Sequence, residues 1–370
     1  MIPVCTPLLG KNEKKYVLDC VATSWISSSG RYIEAFEGKF SQYCGAKYGI
    51  ATTSGTTALH LAFVAIGIKK GDEVVMPSFN IVSTAFAALY CGARPVFVDS
   101  QPDTWNIDPE KVEEKITRRT KAIVVVHMYG HPCEMSAILR IARKHKLIVV
   151  EDAAEAHGAQ CRGEKVGGIG DIGCFSFYGN KIITCGEGGM VVTDSKALAE
   201  RCRRLKNLSF QEPRRFWHEE IGFNYRMTNM QAALGLAQFE RIEELVNRRR
   251  RNAAFYSALL SRVEGLTLPV ERPSVKNVYW MYGILVGKNF GVSRDGLIKR
   301  LGKMGIETRT FFIPLHNQPF LGKKYRASKE CFPVAEDIAR RGLYLPSGSG
   351  LKKEEIEYVC DCIKKIKGAV

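Results

Sequence analysis

The sequence contains no long uninterrupted apolar segment. A membrane-spanning helix needs roughly 18 consecutive apolar residues, and no run in these 370 residues reaches that length. The first residues, Met1-Ile2-Pro3-Val4-Cys5-Thr6-Pro7, also lack the basic segment followed by an apolar stretch that is typical of a signal peptide. We therefore expect a cytoplasmic protein with no membrane partner.

Disulfide and metal patterns are missing as well. Twelve cysteines are present, but apart from Cys360 and Cys362 they are scattered singly, which favours reduced thiols over a disulfide framework. A structural zinc site would require a second Cys or His pair beside Cys360 and Cys362, and the sequence has none at a suitable spacing. His127 and His131 straddle a predicted strand end and the turn Gly130-His131-Pro132, so they would not share a helix face. We expect no metal site.

Acidic residues are too few to balance the basic ones. Lys and Arg number 54 and Asp and Glu 38, which gives a formal net charge of +16. Such an excess attracts nucleic acids or small anions, but no zinc finger, helix-turn-helix or aromatic-interleaved basic module accompanies it. The densest run, Arg248-Arg249-Arg250-Arg251, continues a helical pattern, and we interpret it as a solvated helix face. We expect no nucleic-acid partner and favour anionic small molecules.

What the sequence does contain, from residue 54 to residue 193, is an alternation of short apolar and amphipathic segments. We predict strands at 73–76, 95–98, 122–127, 147–151 and 190–193, and helices at 56–68, 83–89, 109–116 and 136–144. A further helix is predicted directly after this region, at 196–208. Continuous apolar strands separated by amphipathic helices are typical of a mainly parallel sheet covered on both faces. The prediction is an α/β fold.

A smaller α+β unit is predicted after the sheet. Its elements are helices at 295–304 and 353–365 and a strand at 278–286, preceded by one long helix at 229–260. A chain of 370 residues is long for one core, so two domains are expected. We predict a large domain with the N-terminal segment over residues 1–250 and a small C-terminal domain over residues 251–370.

Lys181 is the most informative single residue. It lies in Phe175-Ser176-Phe177-Tyr178-Gly179-Asn180-Lys181-Ile182-Ile183, a lone cation entering an apolar stretch. A lysine in apolar surroundings loses hydration of its ammonium form, so its pKa falls and the neutral amine becomes a nucleophile or base. A lysine that forms a Schiff base needs this property.

Asp152 follows the predicted strand at 147–151. Active sites of parallel sheets lie at the carboxyl ends of the strands. A carboxylate in that position can pair with a pyridinium nitrogen. Asp152 is therefore the second candidate site residue.

Two glycine-containing segments raise the question of phosphate binding. Ser54-Gly55-Thr56 opens a predicted helix, whose free amides and positive dipole end suit a phosphate, although a capping serine alone also explains the pattern. Gly168-Ile169-Gly170-Asp171-Ile172-Gly173 matches the literal dinucleotide pattern, but it runs into a strand instead of opening a helix. We interpret the second segment as a turn and expect no NAD site.

These segments together resemble the DegT/DnrJ/StrS family of nucleotide-sugar aminotransferases, which depend on pyridoxal 5'-phosphate (PLP). The likeness runs through nearly the whole chain, from Trp25-Ile26-Ser27-Ser28 to Ile313-Pro314-Leu315-His316. It includes Glu151-Asp152-Ala153-Ala154-Glu155-Ala156-His157 and Gly222-Phe223-Asn224-Tyr225-Arg226. The resemblance implies PLP fold type I, the aspartate aminotransferase-like fold. Lys181 argues against the dehydratase branch, in which histidine replaces this lysine.

The resemblance also implies roles for matching residues. Lys181 would bind the cofactor covalently and move a proton, and Asp152 would keep the pyridine nitrogen protonated. The remaining expected site residues are Gly55, Thr56 and Ser176 for the phosphate, Glu155 beside the cofactor, and Trp25, Ser27 and His316 for the substrate. Glutamate would donate the amino group and leave as 2-oxoglutarate, and the keto group of a nucleotide-linked sugar would accept it.

Two further expectations concern the surroundings of the cofactor. Relatives often have an aromatic residue stacked on the pyridine ring where this chain has Ile81. Either Ile81 forms an aliphatic floor or Phe79 or Phe86 supplies the stack. The resemblance further implies a homodimer with shared active sites, in which Asn224 reaches the cofactor phosphate of the neighbouring protomer.

Overall fold

A computed structural model describes residues 1–211, 214, 216–321 and 330–369. The strands are β1 (Tyr48–Thr52), β2 (Glu73–Pro77), β3 (Arg94–Val98), β4 (Thr120–Val126), β5 (Ile148–Asp152), β6 (Gln160–Cys161), β7 (Glu164–Lys165), β8 (Ile172–Ser176), β9 (Gly189–Thr193), β10 (Leu266–Thr267), β11 (Val275–Lys276), β12 (Tyr282–Val286), β13 (Arg309–Thr310) and β14 (Gly342–Leu345).

The central element is a seven-stranded sheet of order β1-β9-β8-β5-β4-β2-β3. Its pairs β2–β3, β2–β4, β4–β5 and β5–β8 are parallel, whereas β9 runs antiparallel to β8 and β1. The predicted mainly parallel sheet is thus confirmed. A second sheet, β10-β12-β14-β13, is antiparallel, and β11-β6-β7 form a small third sheet.

The helices are α1 (Lys11–Ala22), α2 (Arg31–Tyr43), α3 (Gly55–Ala65), α4 (Ser83–Tyr90), α5 (Met135–His145), α6 (Lys196–Lys206), α7 (Asn229–Phe239), α8 (Ile242–Leu260), α9 (Arg294–Lys303), α10 (Pro333–Arg341) and α11 (Lys353–Gly368). Short 3-10 helices lie at Pro109–Lys111, Glu113–Lys115, Met128–Gly130, Lys288–Phe290, Leu315–Asn317 and Pro319–Leu321.

Both faces of the sheet are buried because alternate residues of each strand point to opposite sides. In β4, Val124 and Val126 join the core that contains α3, whereas Ile123 and Val125 pack with α5 on the other face. This two-sided burial explains why the strands appear as continuous apolar runs.

Three predicted elements differ from the structure. The helix predicted at 229–260 is two helices, because Arg241 leaves the helical conformation (φ −111°, ψ 11°) and lets α7 pack on α1 and α2. The helix predicted at 109–116 is two 3-10 turns around the buried Val112. The strand predicted at 278–286 starts only at Tyr282, since Tyr279 has a left-handed φ of 48°.

A second hydrophobic core lies under the antiparallel sheet. It joins Ala253 and Tyr256 of α8 to β12, α9 and α11, while Leu245 and Val246 of α8 belong to the core of the large sheet. One continuous helix therefore links the two cores. The domain division at residue 250 stays a prediction.

Among the described residues, no helix combines the length and the apolar composition that crossing a membrane requires.

Candidate active site

Lys181 lies in the turn that follows β8. Its backbone N–H donates to the Tyr178 carbonyl at 2.9 Å, and its Nζ lies 3.8 Å from the centre of the Trp280 ring. Burial lowers the pKa of Lys181, and the negative charges of Glu155 and Asp152 offset only part of this effect. The neutral amine expected from the sequence is therefore favoured by the folded environment.

Asp152 ends β5 and is buried. Its Oδ2 accepts a hydrogen bond from the Thr84 hydroxyl at 2.8 Å, and its Oδ1 accepts one from the Ala154 N–H at 3.2 Å. Asn80 donates to the Thr84 hydroxyl at 2.7 Å. Burial raises the pKa of Asp152, while these donors and the charge of Lys181 act against that rise. The network fixes the carboxylate in place.

The two residues that support Asp152, Thr84 and Asn80, were missed by sequence analysis. Both are buried: Asn80 lies in the segment that joins β2 to α4, and Thr84 lies in the first turn of α4. A pair of small polar residues near a strand end is also typical of a helix cap or a turn, so the local pattern did not distinguish them.

The expected phosphate cradle is formed by the start of α3 and the end of β8. Ser54 caps the helix by accepting from the Thr57 N–H at 3.2 Å, which leaves the Gly55 and Thr56 amides without intrahelical acceptors. A Cβ atom on Gly55 would lie 2.7 Å from Cβ of Ser176. The structure thus brings Gly55, Thr56 and Ser176 together; it confirms the Ser54 cap and leaves phosphate binding a prediction.

Glu155 is buried beside this site. Its Oε2 accepts a hydrogen bond from the Tyr129 N–H at 2.8 Å, and Tyr129 has a left-handed φ of 51°. Burial raises the pKa of Glu155 to about 7, against the opposing charge of Lys181. Its neighbour His157 is also buried, with its ring against Phe175 and Phe177.

Of the three residues considered for the ring face, Ile81 is the most exposed. Phe79 is fully buried against Tyr129 and Phe311, and Phe86 packs on Phe320 with ring centres 4.9 Å apart. Ile81, in contrast, is 38% exposed. This arrangement favours the aliphatic floor.

The basic run at 248–251 is not the uniformly solvated face that we expected. Arg249 is only 2% exposed, and its guanidinium donates to the carbonyls of Asn180 and Lys181 at 3.5 Å. Arg248 and Arg250 pair with Glu244 and Glu271 near the surface. The expectation was wrong for Arg249, because one position of a helical run faces the core whenever the helix is packed on one side.

His316 is held inside the protein. Its Nδ1 lies 2.5 Å from the Ser78 hydroxyl and its Nε2 lies 3.1 Å from Glu336. Burial lowers its pKa. With both ring nitrogens occupied, His316 ties the 315–317 turn to the end of β2, and a substrate contact stays a prediction.

Trp25, Ser27 and Asn224 are exposed residues near the start of α7. Asn229, the first residue of α7, donates to the carbonyls of Trp25 and Ser27 at 2.7 and 2.6 Å, and both side chains are exposed. Asn224 is exposed too, in a segment whose Tyr225 carbonyl accepts from the Thr53 N–H at 3.1 Å. In the described part of the chain, no hydrogen bond joins these three residues to Lys181 or Asp152.

The glycine-rich segment at 168–173 opens no helix: residues 168–171 form the predicted turn, and Ile172 and Gly173 begin β8. The buried Glu151 carboxylate holds the turn by accepting from the N–H groups of Gly167, Ile169 and Gly170. Glu151 also lies 3.0 Å from Nε2 of His127. Within the ranges that the structure describes, no group of His, Cys, Asp and Glu could hold a metal ion.

Comparison with known proteins identifies the family of this chain. The model of the DegT/DnrJ/EryC1/StrS aminotransferase family matches residues 7–364. The chain belongs to this family. It is similar to GDP-perosamine synthase of Caulobacter vibrioides, with 46% identity over 99% of this chain and 98% of the relative. It is also similar to GDP-perosamine synthase of Escherichia coli O157:H7, with 43% identity over 98% of each chain.

Among solved structures, the fold is similar to that of DesV from S. venezuelae. The TM-score is 0.91 at 35% identity, over 97% of this chain and 95% of DesV. The protein is therefore a PLP-dependent aminotransferase with the expected fold type I architecture.

The residues present fit PLP. A lysine with a lowered pKa and a buried carboxylate interact electrostatically, as a Schiff-base lysine and a pyridinium partner require. Gly55 leaves open the space in front of Ser176 that a Cβ would fill. The free amides at the start of α3 and the Ser176 hydroxyl suit a phosphate there.

Proposed function

We propose that this enzyme transfers the amino group of L-glutamate to the C4 keto group of a nucleotide-linked 4-keto-6-deoxyhexose. The proposed acceptor is GDP-4-keto-6-deoxymannose, and the product is GDP-perosamine. The observation that carries the proposal is the partly buried Lys181, whose pKa is lowered by desolvation and which interacts electrostatically with Asp152 and Glu155. The choice of sugar is supported by the full-length similarity to two GDP-perosamine synthases.

Lys181 is proposed as the nucleophile that holds the cofactor and as the base and acid that moves a proton at the substrate carbon. Its lowered pKa makes the neutral amine more accessible than it is in an exposed lysine. When bound, PLP supplies an electron sink for the electrons left at that carbon. Asp152 would hold the proton on the pyridine nitrogen, oriented by Thr84 and Ala154.

The proposed roles of the other site residues follow from where they lie around the cofactor site. Gly55, Thr56 and Ser176 would bind the phosphate through the N-terminus of α3 and the Ser176 hydroxyl. Glu155, with a pKa of about 7, can exist protonated near neutral pH and would then donate a hydrogen bond to an oxygen of the cofactor. Ile81 would cover one face of the ring.

A substrate panel tests this function. The enzyme is incubated with PLP, glutamate and GDP-, UDP- or dTDP-linked 4-keto-6-deoxy sugars, and the amino sugar and 2-oxoglutarate are measured. We expect preferential amination of GDP-4-keto-6-deoxymannose at carbon 4, and none by the Lys181→Ala variant. A preference for a UDP or dTDP sugar, or amination at carbon 3, would reject the proposed substrate and keep the aminotransferase assignment.

The active site is proposed to be completed by a second copy of the chain. Asn224 supports this, because its side chain is exposed beside the segment that leads into α3 and has no hydrogen-bond partner within the described part of the chain. Since a ligand bound by two protomers stabilises their association, we expect a dimer by light scattering and weaker PLP binding by Asn224→Ala.

Asn247→Ala is the matched control, since Asn247 is an exposed asparagine on α8. A fully active monomer would reject the shared site. Unchanged PLP affinity of Asn224→Ala would reject the part assigned to Asn224.

We also propose that the enzyme works in the cytoplasm. Its buried cysteines, among them Cys20, Cys44 and Cys174, are free thiols, which suits a reducing compartment. Detection of the enzyme in a fractionated cell tests this.

A further inference from the structure

The guanidinium of Arg249 lies directly behind Lys181. It is buried, and its donors reach four parts of the chain. Its partners are Ser349 Oγ at 3.1 Å, the Ser347 carbonyl at 3.1 Å, the Trp280 carbonyl, Cys5 Sγ at 3.4 Å, and the carbonyls of Asn180 and Lys181 at 3.5 Å. None of these partners is a carboxylate.

A buried arginine without a carboxylate partner is costly. Transfer of a charge from water into the protein is unfavourable unless hydrogen bonds and opposite charge compensate it. Neutral carbonyls satisfy the guanidinium donors here but do not cancel their charge. Methionine would fill a similar volume at lower cost, so the charge has no evident advantage for packing alone.

Three of the partners of Arg249 belong to the backbone of Lys181 or to residues next to it. Two are the carbonyls of Asn180 and Lys181, which flank the Cα atom of Lys181. A third is the carbonyl of Trp280, whose indole N–H donates to the Asn180 carbonyl at 2.9 Å and whose ring faces Nζ of Lys181 at 3.8 Å. Arg249 thus contacts both the backbone that carries the amine and the residue that packs on it.

The charge of Arg249 acts on the same amine. The Trp280 ring attracts the ammonium form of Lys181, whereas Arg249 repels it. Burial is the largest cause of the lowered pKa of Lys181. The charges of Glu155 and Asp152 oppose it, and Arg249 lowers the pKa by a smaller effect. Arg249 therefore affects Lys181 in two ways, through a hydrogen bond to its backbone and through its charge.

We propose that Arg249 is a positioning residue for Lys181, which clamps the backbone carbonyls of Asn180, Lys181 and Trp280 so that the amine is held at the site. The proposal rests on the proposed role of Lys181. The positive charge of the clamp further disfavours the ammonium form, since like charges disfavour each other.

The test uses the full-length chain with Arg249→Met, which has similar length and no charge, and Arg249→Lys, which keeps the charge and loses the fork. Arg251→Met is the control, because Arg251 is an exposed neighbour on the same helix. An amine-reactive reagent is applied to the cofactor-free chain across pH, and mass spectrometry follows labelling of Lys181. The kcat of the PLP-loaded enzymes and the melting temperature are measured in parallel.

Arg249→Met should move the pH midpoint of Lys181 labelling upward by about one unit, as removal of a nearby like charge does, and lower kcat at least about tenfold. Arg249→Lys should keep the midpoint and still lower kcat. Arg251→Met should change neither. If Arg249→Met lowers only the melting temperature, the role is structural and the proposal fails.

Should Arg249→Met not fold, Arg249→Lys decides alone, and a wild-type kcat in that variant overturns the clamp. The labelling needs no sugar, so a negative substrate panel does not affect it. Activity retained by Lys181→Ala would separately reject the role of Lys181.

Discussion

Thr84 donates its hydroxyl hydrogen to Oδ2 of Asp152 across 2.8 Å, between residues 68 positions apart. The contact joins the start of α4 to the end of β5. Because the Thr84 hydroxyl also accepts from Asn80, its own hydrogen is directed at the carboxylate. The orientation of Asp152, which is proposed to face the pyridine nitrogen, thus depends on the segment that follows β2 as well as on β5.

Removal of this hydroxyl should slow the reaction without preventing cofactor binding. Hydrogen bonds to charged groups contribute about 1.5–3 kcal/mol, so Thr84→Val should lower kcat roughly 10- to 100-fold. Thr84→Ser keeps the donor and should stay near the wild-type rate. Equal rates for the valine and serine variants would show that the contact does not matter for catalysis.

Lys181→Ala should abolish transamination and spare the fold, since it removes the nucleophile and proton carrier. Lys181→Arg should fail too, because arginine remains protonated. Circular dichroism checks the fold, and Lys196→Ala, at an exposed lysine paired with Glu200, is the control. A rate above about a hundredth of wild type would contradict the assignment, given that acid–base help alone contributes roughly 10²–10⁴-fold.

Asp152→Asn should retain PLP and react much more slowly, because a neutral amide cannot hold the pyridinium proton. PLP content is measured by absorbance and turnover by 2-oxoglutarate release. Near-normal turnover would mean that another residue faces the ring nitrogen.

Gly55→Ala should weaken PLP binding, because the new methyl group would lie 2.7 Å from Cβ of Ser176 and intrude on the cradle. We expect roughly a tenfold or greater rise in Kd, an effect of at least about 1.4 kcal/mol. Gly38→Ala is the control, since Gly38 lies in α2 and a methyl group added there would meet no atom within 4 Å. Equal Kd values in the two variants would exclude contact between Gly55 and the phosphate.

Glu155 should make the stability of the cofactor-free protein depend on pH. Its pKa is raised from 4.5 to about 7 in the folded state, so between these values the folded protein retains a proton that the unfolded chain releases. The contribution is complete below about pH 4.5 and is lost as pH rises through 7. Each pKa unit corresponds to about 1.4 kcal/mol.

Urea unfolding at pH 5 and pH 8 measures this effect. The free energy of unfolding of the wild type should fall more between the two pH values than that of Glu155→Gln, which cannot titrate. Parallel changes in the two proteins would refute the raised pKa.

The sequence by itself determined the mainly parallel sheet and the turn at 168–171, and it pointed to Lys181 and Asp152 as candidate site residues. Apolar strands, glycine turns and a cation in an apolar segment are local properties, so a linear pattern contains them. The same locality explains the errors at residues 109–116 and 229–260, where periodicity continues but the backbone does not remain helical.

Only the tertiary structure decided what surrounds the two central residues. Thr84 and Arg249 each lie 68 positions from the group that they contact, and Trp280 comes from beyond α8. Whether a charged side chain is solvated or buried depends on which distant elements pack over it, and a local pattern carries no such information. Lys181 is therefore recognisable from its neighbours in sequence, but its pKa and orientation are set by its neighbours in space.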